Sequence, residues 1–181
     1  MVLVRHAVAM PPPGDELTRP LTADGLRQAL DLVATLGEPR PVAVWSSPYR
    51  RAMQTVQPTA RALGLAVRTR WELREWDDGL PYTEDWERHY DRSWAQPSFA
   101  RPGGESLAGV TVRAVEVVRA LAREHRGGRV LAASHGTFIA RALIGFGMAV
   151  DREFWRRMPM PAVYRLRFPE TSDDPCGLDY D

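Results

Sequence analysis

Apolar residues in this chain follow two rhythms. Short unbroken runs at Met1–Val4, Val42–Ser46, Leu65–Thr69, Arg129–Ser134 and Ala162–Phe168 have the length and composition of buried strands. Between them, apolar positions recur three and four apart, the spacing of a helix face. Thr22 is placed as an N-cap for a helix that turns Leu26, Ala29, Leu30, Val33 and Leu36 inward and stops at Gly37. Ser47-Pro48 is placed to cap a second helix, with Ala52, Met53, Val56, Ala60 and Leu63 inward, a kink expected at Pro58 and an end at Gly64. Ser106 to Glu124 carries a third stripe of Leu107, Val110, Ala114, Val117, Val118 and Leu121, and a turn at Gly127-Gly128 follows it. His135-Gly136 opens a further helix running through Ile144.

Two stretches lack either rhythm. Pro11 to Asp15 reads as a loop. Trp76 to Gly104 is rich in Trp, Tyr, Asp, Arg and Pro, and reads as a cap with one short helix near Thr83–Trp94. Strands alternating with helices predict an α/β fold, a three-layer sandwich whose mostly parallel central sheet carries helices on both faces. The expected organisation is one domain over residues 1–168, with a small cap insertion at 76–104. Residues 169–181 should form a loose acidic tail.

Composition adds a few exclusions. The chain has 181 residues, 44% hydrophobic and 26% charged, ordinary values for a globular domain. A formal net charge of +1 points to no nucleic-acid partner. That balance hides an asymmetry: Glu170, Asp173, Asp174, Asp179 and Asp181 crowd the last stretch, so the body before it is cationic and suits an anionic substrate. Every one of the basic residues is Arg. Schiff-base lysines, P-loop lysines and lysine bases are therefore excluded, and any grip on phosphate falls to guanidinium groups, backbone N–H groups and His. The single Cys176 has no intrachain partner, which fits a reducing cytoplasm. No apolar run has the length of a signal or membrane segment, so the expected setting is cytoplasmic, with no membrane partner.

Four groups of residues carry candidate chemistry. His6 and His135 each follow directly on a predicted strand, and strand ends are where open α/β sheets bind ligands. His89 and His125 lie in the cap and at a helix end, where a surface position is expected. There is no His-x-His, no His-Glu-x-x-His and no Cys cluster, so no metal site is expected. Arg50 and Arg51 stand in the first turn of the second helix, close to the same edge. Glu75, in Leu73-Arg74-Glu75-Trp76-Asp77-Asp78, is a candidate general acid.

Together these segments resemble the histidine phosphatase superfamily, with its phosphoglycerate-mutase-like fold. Leu3-Val4-Arg5-His6 matches the strand that ends in Arg-His-Gly, and Ser47 to Thr55 matches Ser-Pro-x-x-Arg-Ala-x-Gln-Thr at every fixed position. Leu73-Arg74-Glu75, Gly103 to Ser106, Ser134-His135-Gly136 and Pro20 to Ala29 match four further motifs in order. The resemblance implies a metal-independent phosphomonoesterase with no cofactor, acting on a small phosphorylated metabolite. His6 would be the nucleophile and form a phosphohistidine. Arg5, Arg51, His135 and the backbone at Gly136 would bind the phosphoryl oxygens. Glu75 would protonate the leaving oxygen and then activate water. Arg5 and Arg51 should hold the His6 pKa down.

The chain departs from the family's pattern at two places. Ala7 replaces the usual Gly, which is expected to modify the phosphate cradle. Val8-Ala9-Met10-Pro11 stands where the mutases carry Glu-x-x-x-Asn, which counts against mutase activity. Arg19-Pro20-Leu21-Thr22 is similar to the compact protein phosphohistidine phosphatases, whereas the longer 76–104 segment is similar to the small-molecule branch. Trp76, Tyr82, Trp86 and Arg101 are candidates for the substrate mouth, with packing within the cap as the other reading. A protein phosphohistidine phosphatase, a mutase or a non-catalytic phosphate-recognition module are the alternatives. Sequence assigns no oligomeric state.

Overall fold

Four of the five predicted strands lie side by side in register, and the fifth runs against them. In the computed structural model, which describes residues 1–12, 15–81 and 83–180, the strands are β1 (Val2–Arg5), β2 (Ala43–Ser46), β3 (Val67–Thr69), β4 (Val130–Ser134), β5 (Ala162–Arg167) and β6 (Gly177–Tyr180). They form one sheet in the order β3-β2-β4-β1-β5-β6. β3, β2, β4 and β1 are mutually parallel, while β5 and β6 are antiparallel additions at one edge. The sheet is thus mixed, as an α/β sheet with an antiparallel margin commonly is.

Alternation within the strands builds two cores. Leu3 and Ala132 face one side, together with α4 (Leu107–Glu124) and α5 (Gly136–Gly145). Val2, Val4, Leu131 and Ala133 face the other, where Leu36, Ala52 and Val56 of α1 (Ala23–Gly37) and α2 (Arg50–Leu63) cover them. Each strand residue therefore sends its side chain into the layer opposite to its neighbour's, which is why runs that look uniformly apolar are buried on both faces.

The helix expectations hold in outline and shift in detail. Thr22 caps α1, accepting from the Gly25 N–H. Leu26 and Leu30 do not face the core but are 44% and 61% exposed, because the buried stripe runs through Gly25, Ala29 and Leu36. The close approach of Gly25 sets that rotation: a Cβ there would lie 2.0 Å from the Val8 carbonyl oxygen. In α2 the inward positions Ala52, Val56 and Ala60 are buried, whereas Met53 and Leu63 are half-buried. The helix continues unbroken through Pro58, and Ser47 does not cap it; Tyr49 holds the cap position without a side-chain bond. Every predicted inward residue of α4 is buried.

The cap does contain one short helix, α3 (Trp86–Ala95). Two elements had no clear periodic signal: α6 (Arg152–Arg157), which is capped by Asp151, and β6. The acidic tail is not loose where β6 pairs with β5. Ahead of that strand, Asp173 and Asp174 form ion pairs with Arg119, Arg123 and Arg126 near the end of α4. The acids of the tail expected to be loose instead dock it onto the basic end of a helix.

Candidate active site

The parallel order β2-β4-β1 brings three strand ends together. Past β1 comes His6, past β4 His135, and past β2 Ser47. Their backbones continue the ladder: the His6 N–H donates to Ser134 O (3.1 Å) and the Ser47 N–H to Ala133 O (2.9 Å). The two imidazoles, 129 positions apart in numbering, meet edge-on with ring centroids 5.3 Å apart.

His6 is buried and fixed from both ends. Arg51 Nε donates to His6 Nε2 at 3.2 Å, and His6 Nδ1 lies 2.8 Å from the Ala7 carbonyl oxygen. A guanidinium can only donate, so Nε2 must accept and Nδ1 must carry the proton to Ala7 O. Nε2 is therefore the unprotonated nitrogen, and both His6 and the Arg51 that donates to it line the cavity. Burial, then Arg51, then the Ala7 contact acting in the opposite sense, then Arg5, set the His6 pKa at about 3, down from 6.5. The expected lowering by the two arginines is present, and burial is the larger cause.

Arg51 is almost wholly buried at the start of α2, and its guanidinium divides its bonds. Besides His6 it donates to the Glu16 carbonyl (2.7 Å), and it pairs with the Glu16 carboxylate (2.8 Å). Glu16 also pairs with Arg19 at 2.9 Å. Arg19 in turn donates to Met10 O at 2.7 Å. Glu16 and Arg19 had no assigned role in the sequence. Their signal lay in the Arg-Pro-Leu-Thr stretch and the segment after Arg5-His6. Val8 to Met10 pairs back on residues 20–22, through Val8 O, an Ala9–Leu21 bridge and the Met10 N–H. The segment that lacks the mutases' polar residues therefore positions a third arginine.

Arg5 runs along the first turn of α5. A Cβ at Gly136 would sit 3.2 Å from its guanidinium carbon, so glycine there lets the cation lie against the helix start. Its Nη1 donates to the Met158 and Pro159 carbonyls. Glu75 reaches the same helix. Its carboxylate accepts from the Thr137 N–H (3.2 Å) and Phe138 N–H (3.1 Å), and from its neighbour's Trp76 N–H (2.8 Å). Backbone donors at a helix start are natural partners for an anion. Ser134 Oγ donates to Leu73 O at 2.7 Å, tying the Glu75 segment to the end of β4.

His135 sits differently from the expectation of a phosphoryl ligand. It is fully buried behind His6, with Nε2 2.7 Å from Ser47 Oγ and Tyr49 stacked edge-on at 4.9 Å. It does not line the cavity; Tyr49 does. Burial, and then Arg51, hold its pKa well below the usual value.

Ala7 is not an intrusion. Its φ is not positive, and its methyl packs with Leu21 and Ala29, away from the cavity wall. Its N–H donates to Thr55 Oγ1 at 3.0 Å. The expected modification of the phosphate cradle by this methyl is therefore corrected: the side chain points into a small core, where a glycine would leave a gap.

The cavity over these groups has a volume of about 740 Å³. Arg5, His6, Arg51 and Glu75 form its floor, and Trp76, Asp77, Asp78, Trp86 and Tyr90 form its cap side. Trp76 also donates from Nε1 to Glu105 O (2.7 Å), so it serves both packing and wall. Arg101 is absent from the wall, because it donates to His89 O (3.0 Å) and Ser93 Oγ (3.4 Å) on α3. Tyr82 lies outside the described residues. His89 and His125 are half-buried rather than surface residues, and His125 accepts from Trp45 Nε1 at 3.1 Å.

The family model of the histidine phosphatase superfamily (branch 1) matches residues 1–173. An acid phosphatase of Mycobacterium tuberculosis is 34% identical over 167 residues, covering 88% of this chain and 75% of its own. A metal-independent phosphoserine phosphatase of Arabidopsis thaliana is 30% identical over 151 residues, which cover 75% of this chain and 63% of that protein. Among solved structures, a mycobacterial glucosyl-3-phosphoglycerate phosphatase superposes with a TM-score of 0.76 at 20% identity, over 100% of this chain and 96% of its own. That likeness speaks for the fold. Among the described residues, no helix is long and apolar enough to cross a membrane.

Proposed function

The chain is a phosphatase of the histidine phosphatase superfamily, and on that premise we propose that it hydrolyses small phosphomonoesters through a phosphohistidine on His6. The observation that carries the reading is the state of His6: a neutral imidazole on the cavity wall, its Nδ1 proton held by Ala7 O and its Nε2 facing Arg51. A nucleophile needs an unprotonated nitrogen, whose lone pair turns from Arg51 to phosphorus as the phosphoryl group docks, and a mere anion binder would gain from a protonated ring.

The phosphoryl group docks between Arg5, Arg51 and Arg19, displacing the Glu16 carboxylate from its arginines. Nε2 attacks phosphorus, the ester P–O bond breaks, and Glu75 passes a proton from the docked phosphate monoanion to the leaving oxygen. Glu75, now a carboxylate, takes a proton from water. The hydroxide attacks the phosphohistidine, releases inorganic phosphate and restores neutral His6. The guanidinium groups offset charge on the transferring oxygens, the task a metal ion performs elsewhere. His135 acts from behind: bonded to Ser47 and packed edge-on against His6, it is a positioning residue for the nucleophile. An exposed free Cys176 suits a reducing compartment, which supports a cytoplasmic setting.

The test is turnover of p-nitrophenyl phosphate in EDTA by wild type and His6→Ala. Wild type should hydrolyse it and leave acid-labile, base-stable phosphate on the protein. His6→Ala should lose roughly a thousandfold or more. Equal turnover by both proteins would remove His6 from the mechanism.

A further inference from the structure

The cavity is divided by charge. Its only cations among the described lining residues are Arg5, Arg19 and Arg51, and all three belong to the phosphoryl end. The cap side carries Asp77 and Asp78, and no described ion pair reaches either. One oxygen of each is used locally, accepting from the Gly79 N–H (3.0 Å) and the Leu80 N–H (2.9 Å). Burial pushes the Asp78 carboxyl up from its ordinary value. Arg101 acts on Asp78 through space without a described ion pair, so this half-buried carboxylate still gains when a cation reaches it directly.

Aromatic rings stand beside these acids. Trp76 and Tyr90 meet at 4.9 Å, Trp86 and Tyr90 at 5.2 Å, and all three rings line the cavity. Ring faces with adjacent carboxylates make a receptor for an ammonium group. A carboxylate on the substrate would find no partner there, because Arg101 is committed to α3.

We propose that the preferred substrate is the phosphomonoester of an amino alcohol, its phosphoryl group between the arginines and its ammonium group against Asp77, Asp78 and the Trp86–Tyr90 rings. This assignment rests on the hydrolytic reading of His6 and adds the leaving-group chemistry. The products are inorganic phosphate and the free amino alcohol, whose oxygen takes the proton from Glu75.

The experiment compares kcat/KM for phosphoethanolamine and phosphocholine with glycerol 3-phosphate and 3-phosphoglycerate, using p-nitrophenyl phosphate as the control for hydrolysis itself. The amino esters should exceed the other two by about tenfold, the factor that corresponds to one well-placed cation contact. In Asp77→Asn/Asp78→Asn that ratio should collapse toward one. Turnover of the control with no preference for amino esters overturns the proposal, and so does an equal fall for all esters in the double variant, which would mean a proton-handling or structural role. Calorimetry on His6→Ala separates the two readings. If the control is not hydrolysed by wild type, tighter binding of phosphoethanolamine than of glycerol 3-phosphate keeps the ammonium site while the hydrolytic reading falls. Equal binding removes the site.

Discussion

The floor and the cap of the cavity are built by different means. On the floor, strand ends fix the backbone, and side chains are held by several bonds each: His6 by Arg51 and Ala7, Arg51 by His6 and Glu16, Glu75 by three backbone N–H groups. On the cap, a ten-residue helix and a chain of ring contacts carry the wall, and Trp86 remains partly open to solvent. The floor is burdened with buried charge, which only a rigid setting tolerates. The cap rests on ring contacts and exposed ion pairs such as Arg156–Glu87, which tolerate repacking. On the proposed mechanism, chemistry common to all substrates belongs on the first, and discrimination between them on the second.

The sharpest way to break this comparison is on the floor. Arg51→Ala should lower kcat/KM about 10²- to 10³-fold for every ester, because it removes charge from the transferring phosphoryl group itself. Steady-state kinetics over several esters checks it. A loss confined to some esters would mean that floor and cap are not separate, in contrast to the ratio change expected of the Asp77/Asp78 pair.

The second prediction concerns acid. The folded-state pKa of His6 is lowered, to about 3 from 6.5, so the unfolded chain binds the proton first. The stability this position contributes is complete above about 6.5 and is lost as pH falls toward 3. The expected loss from His6 alone is on the order of 1.4 kcal/mol per pH unit within that window. Urea unfolding between pH 7.5 and 4.5 should show the slope, and His6→Asn should flatten it, leaving the part due to His135. An unchanged slope would mean that the floor is wetter than its burial indicates.

The smallest effect is expected at Ala7. Ala7→Gly removes a methyl from the cluster with Leu21 and Ala29 and adds backbone freedom to the unfolded chain, for about 1–2 kcal/mol of lost stability. Activity should stay within about twofold, since the methyl does not reach the cavity. A tenfold gain in kcat/KM would show that the methyl does limit the phosphate cradle.

Much of the floor was legible in the sequence. Arg5, His6, Arg51, Glu75 and His135 stand in motifs whose order and spacing are local properties, and strand alternation announced the sheet edge that gathers them. Glu16 and Arg19 were not legible as site residues, because their place depends on Val8 to Met10 folding back on residues 20–22. Arg101 pointed the other way: an arginine in an aromatic segment looked like a ligand, and the carbonyl of His89 claimed it.

By itself the sequence determined the alternation of strands and helices, the absence of any lysine chemistry, and the motif positions of His6, Arg5 and Arg51. These follow from periodicity and from residue type at fixed spacing. Tertiary structure alone decided which faces the helices bury, that the acidic tail adds a strand, that the Ala7 methyl turns inward, and that His135 lies behind His6 rather than on the cavity wall. Each of those outcomes is a contest between partners distant in the chain, such as Gly25 with Val8, Asp173 with Arg126 or Ser47 with His135, and no local pattern records who wins it.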